Sequence, residues 1–126
     1  MAYVYSNPNP NGDRLTDCSV RAVSKVLGKD WEDAYIGLCA VGHSYKDMPS
    51  SPYCIEVYMK EHGFEKTVLP STYPRCTTVS TFSEENKTGR FLLVTENYIV
   101  PSVDGDYFDV FDCGNEEVVY YYSEVN

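Results

Sequence analysis

Five cysteines and two histidines are the side chains best suited to covalent or metal chemistry in this chain. Cys18 is the most informative. It follows a polar Asn/Pro/Gly segment and sits in the first turn of an expected helix. A helix N-terminus stabilises a thiolate, the nucleophilic form of cysteine. The same position also suits a small buried hydrophobe. Asp112 follows the strand-like run Tyr107 to Phe111, where a carboxylate either orients a base or ends the strand in a turn. His62 precedes Gly63 at an expected helix C-terminus, where partial positive charge suits the dipole. His43 falls in an expected loop. Zinc needs three or four clustered ligands. Cys18, Cys39, Cys54, Cys76 and Cys113 form no CxxC pair, and the two histidines lie apart, so no metal site is expected. Gly89-Arg90 lacks the lysine and spacing of a phosphate-binding loop, and no cofactor is expected.

The elements that must position these residues can be read from spacing and punctuation. Asn7-Pro8-Asn9-Pro10-Asn11-Gly12 predicts an extended, turning start. Thr16 or Asp17 caps a first helix whose Ala22, Val23, Val26 and Leu27 share a face, with Gly28 beyond its end. Asp30 opens a second helix with Glu32 and Asp33 in its first turn, and Gly42 is expected to end it. His43 to Ser50 reads as a loop. Ser51-Pro52 starts a third helix, which Gly63 stops. Glu65 to Leu69 reads as a short strand. Within Thr77 to Asn86, Thr81 and Glu84 have the spacing of a capping box.

From Arg90 onward the chain is rich in β-branched and aromatic residues. Arg90 to Thr95, Tyr98 to Val103, Tyr107 to Phe111 and Val118 to Tyr122 read as strands. Asp104-Gly105 is the strongest hairpin signal in the chain, and Gly114-Asn115 marks the next turn. Helices first and an antiparallel sheet second predict a single α+β domain over residues 1–126.

Composition narrows the partners. The chain has 126 residues and a formal charge of −9. Nucleic acid and anionic membranes both recruit lysine and arginine, so neither is an expected partner. No apolar run approaches the roughly 20 residues of a membrane span. The polar first thirteen residues do not read as a secretion signal. The odd cysteine count suggests reduced thiols in a cytoplasmic protein. The acidic residues form no long run and read mostly as a solvated face.

Tyr5-Ser6-Asn7-Pro8-Asn9 followed by Thr16-Asp17-Cys18-Ser19-Val20-Arg21-Ala22-Val23 resembles the opening of small papain-like cysteine peptidase proteins, common in phages and prophages of Firmicutes. The similarity continues through Gly28-Lys29-Asp30-Trp31, Leu38-Cys39, Asp47-Met48-Pro49-Ser50 and Gly63-Phe64. It resumes at Gly89-Arg90-Phe91, Val103 to Asp109, and Asp112-Cys113-Gly114-Asn115-Glu116. The resemblance implies a papain-like arrangement with helices packed on a C-terminal sheet. It places Cys18 at the nucleophile position and Asp112 at the position that orients the catalytic histidine. The position of that histidine, six residues before Asp104, holds Tyr98.

Tyrosine has an ordinary pKa near 10 and is a poor general base at neutral pH. A thiol nucleophile needs an imidazole to activate it, and the acid needs an imidazole to orient. Pro101 is a second departure, because it removes a backbone donor from the strand that opens with Tyr98. The resemblance therefore implies a degenerate peptidase that keeps its cleft and acts by binding, as a phage or prophage accessory protein in the host cytoplasm. Its ligand would be a host protein, a peptide or a small molecule. The alternative is an active cysteine peptidase or amidase using Cys18 with a different base, for which His43 and His62 are the available imidazoles.

Overall fold

A computed structural model describes residues 3–12, 17–70 and 77–125. Thr16, one of the two expected caps, and Cys76 lie outside these residues. Among the described residues, four helices and a six-stranded sheet follow in the order β1 (Tyr3–Tyr5), α1 (Cys18–Leu27), α2 (Trp31–Tyr45), α3 (Pro52–Glu61), β2 (Phe64–Val68), α4 (Val79–Glu85), β3 (Arg90–Thr95), β4 (Ile99–Val103), β5 (Asp106–Asp109) and β6 (Val118–Glu124). The fold class is α+β.

The helices begin and end for local reasons. Asp30 and Ser51 cap α2 and α3 by accepting from the amides of Asp33 and Cys54. Gly28 closes α1 in the left-handed conformation, at φ 67°. Gly42 does not end α2, which runs three residues further to Tyr45. A β-carbon at Gly42 would lie 2.7 Å from the carbonyl oxygen of Asp47. Close approach of the returning loop, not chain termination, is what glycine permits there. Thr78, rather than Thr81, caps α4 and accepts from the Thr81 amide.

The sheet order is β1-β5-β4-β3-β6-β2. It is mixed, not antiparallel throughout, because β1 runs parallel to β5. The Asp104-Gly105 hairpin joins β4 to β5 with Val103 opposite Asp106. Both turn residues have positive φ, 50° and 90°, as a type I′ turn requires. Pro101 stays in register with Leu92 of β3, while the ladder to β5 goes no further than Ser102 opposite Tyr107. That is the one-sided pairing a missing donor imposes.

Alternation along the strands divides the core in two. Leu92, Val94 and Tyr122 face α1, α2 and α3, where they meet Val23, Leu38 and Met59. Leu93, Val100 and Val118 face the other way and pack with Val79 and Phe82 of α4. The first helix lies across β4 and β3, so its N-terminus, and Cys18 with it, comes to one end of the sheet.

Candidate functional site

Cys18 and Tyr98 line the same cleft. It has a volume of about 470 Å³ and is walled by Ser50, Pro52 and Ile55 on one side and Val94, Ile99 and Tyr120 on the other. Cys18 opens α1 and is partly exposed. Tyr98 precedes β4 and is held by the tight turn from Thr95. The Thr95 hydroxyl accepts from the Tyr98 amide at 2.8 Å and donates to the Tyr98 carbonyl at 3.1 Å. The two residues of this turn, Glu96 and Asn97, also line the cleft.

The Tyr98 ring is already engaged. It packs edge-on against Phe111, with centroids 5.0 Å apart, and belongs to the cluster on the α4 face of the sheet. Its neighbour Ile99 belongs to the opposite cluster, the one that holds α1. Tyr120 is similarly occupied, because the Lys66 ammonium sits 4.2 Å from its ring centroid.

Asp112 is not among the residues that line this cleft. Its Oδ1 accepts from the Tyr107 hydroxyl at 2.8 Å and from the Gly114 amide at 2.9 Å. Burial, then the bond and charge of Asp112, pushes the Tyr107 phenol up to about 12. In this structure the carboxylate braces the turn after β5.

Neither histidine lines the cleft. His62 follows α3, and its Nδ1–H donates to the Tyr58 carbonyl at 2.8 Å. His43 lies on the exposed last turn of α2. Cys39, Cys54 and Cys113 are free thiols. Among the described residues, no group of three His, Cys, Asp or Glu side chains is arranged to hold a metal ion.

The most elaborate polar arrangement lies one residue before Cys18, and sequence reasoning missed it. Arg21 pairs with both Asp17 and Asp109, the latter at 3.2 Å. Arg21 and Asp109 are only 7% and 5% exposed. The second oxygen of Asp17 accepts from Asn9 Nδ2 at 3.1 Å and Trp31 Nε1 at 3.0 Å. Asp17 stands at the N-cap position but makes no side-chain cap bond, because both its oxygens are turned to these partners. The Cys113 thiol lies 4.0 Å from Asp109. Burial first, then the Asp109 charge, pushes that thiol up to about 12. A carboxylate inside the apolar run Phe108-Asp109-Val110, and an Asp/Arg pair four apart at a helix start, were the signals available.

No protein-family model matches the chain, and neither curated proteins nor solved structures gave a match.

Proposed function

We propose that the chain is a papain-like domain that binds a ligand in the Cys18 cleft without hydrolysing it. The observation that carries this reading is the makeup of the cleft. A thiol at a helix start faces it, yet no imidazole lines it among the described residues. Thiol-dependent acyl transfer needs a group to take the thiol proton and return it to the leaving amine. Tyr98 would have to accept that proton as phenolate, and its ring is committed to Phe111. A helix N-terminus favours a thiolate but supplies no proton to a leaving group.

The cleft itself suits binding. Its volume falls within the range of ligand pockets, and its walls are mainly apolar. The dispersed resemblance supports an accessory role in a phage or prophage, host-interacting or anti-defence, exercised in the bacterial cytoplasm. Incubating the protein with a panel of fluorogenic peptide and amide substrates at neutral pH tests the reading. No turnover above that of Cys18→Ala is expected. Steady hydrolysis by the wild type that Cys18→Ala abolishes would establish an active peptidase or amidase instead.

A further inference from the structure

A second hollow, of about 260 Å³, is lined by Leu69, Glu96, Asn97, Glu116, Glu117 and Val119. It shares Glu96, Asn97 and Val119 with the first, so the two hollows adjoin at the β3–β4 turn. The halves differ in chemistry. The Cys18 half presents Ile55, Val94 and Ile99. Glu96 lines both halves, the far half adds Glu116 and Glu117, and no Lys, Arg or His lines either half among the described residues. Glu96 is exposed and Glu116 half-buried.

We propose that the two hollows together take an extended peptide segment, with an apolar side chain in the Cys18 half and a lysine or arginine beside Glu96 and Glu116. The inference rests on the binding reading above and names its ligand class. Charge complementarity selects the cation, in a chain whose formal charge is −9. The two-part shape selects a peptide, because a compact cation would fill one half and leave the other empty. An extended chain advances about 3.3 Å per residue, so a few residues bridge the halves.

The test uses the peptides acetyl-Leu-(Ala)n-Lys-amide, with one, two or three alanines, and their counterparts ending in Glu. The readout is the rate of Cys18 alkylation by iodoacetamide, followed by mass spectrometry. At least one Lys peptide should protect Cys18 at a concentration about fivefold lower than its Glu counterpart, the size expected for exposed ion pairs. The advantage should shrink in high salt. It should also vanish in the double variant Glu96→Gln/Glu116→Gln, with protection measured against that variant's own alkylation rate without peptide. Equal protection by Lys and Glu peptides, no protection by either at millimolar concentration, or a preference that survives in the double variant would overturn the inference. None of these results touches the non-hydrolytic reading, which falls only on Cys18-dependent turnover.

Discussion

Asp17 and Cys18 are adjacent in sequence but belong to regions built in opposite ways. Asp17 is fixed by Arg21, Trp31 and Asn9, and through Arg21 it is tied to Asp109 at the end of β5. Cys18 looks into an open cleft walled mostly by apolar side chains. The buried charges Asp17, Arg21 and Asp109 anchor the start of α1 to the sheet, and no Lys, Arg or His lines the Cys18 cleft among the described residues. A working cysteine peptidase needs the reverse emphasis, since its acid and base must converge on the sulfur. Here the two carboxylates near the end of β5 serve structure. Asp109 receives the α1 arginine, and Asp112 braces Tyr107 and Gly114.

The largest expected effect comes from breaking the anchored region. Arg21→Met leaves two carboxylates without their cation and should cost about 3–5 kcal/mol. Cys18→Ala, on the open side, should cost about 1 kcal/mol or less. Urea unfolding of the two variants measures the contrast directly. Equal losses would mean that the polar knot does not hold α1 in place.

Alkaline titration sharpens the same contrast. The folded-state pKa of Cys113 is raised by burial and by Asp109, so its contribution is fully present below the unfolded thiol value near 8.5. It is lost as pH rises from there towards 12. Stability should fall by up to about 1.4 kcal/mol per pH unit for this group across that window. The fall should be shallower in Cys113→Ala, as read by unfolding at pH 8, 9 and 10. An unchanged slope would remove Cys113 from the account.

Tyr98→His probes the cleft side. The exchange sacrifices the edge contact with Phe111, worth about 1 kcal/mol. It should lower thermal stability slightly and give no rapid turnover, because the side chain at this position packs towards Phe111. Brisk peptide hydrolysis by this variant would show that the scaffold needs only an imidazole.

The smallest effect belongs to the exposed pair of Arg90 and Glu124, which belongs to neither region. Its two hydrogen bonds, at 3.0 and 2.6 Å, hold the Glu124 carboxyl below its usual pKa. Glu124→Gln should cost less than about 1 kcal/mol at pH 7. Because the folded value is depressed, the difference should disappear as pH falls through it, below the ordinary glutamate range near 4.3. Chemical unfolding at pH 7 and pH 3 would show whether the difference closes.

Much of this architecture is legible in the sequence because its signals are local. The caps at Asp30 and Ser51, the positive-φ pair Asp104-Gly105 and the β-rich runs after Arg90 each act within a few residues. What escaped depends on distant partners. The three residues of β1 become a strand only by pairing with β5 at the other end of the chain. Gly42 is read as a stop until the loop that crosses it is seen. For the site, the sequence marked Cys18 and Tyr98, and they share a cleft. It did not reveal that Arg21 and Asp109 meet, nor that Glu96 and Asn97 reach the cleft, because no periodicity encodes such meetings.

The proposed binding role requires a Cys18 that is reachable but unassisted. The most direct test compares two electrophiles on the native protein by intact mass and peptide mapping. Iodoacetamide reports an accessible thiol, whereas a peptidyl acyloxymethyl ketone reacts efficiently only where a protein activates the thiol and steadies the developing oxyanion. Cys18 should be alkylated by iodoacetamide, ahead of the buried Cys54 and Cys113, and should carry no ketone adduct over the same period. A saturable ketone adduct on Cys18 would contradict that role.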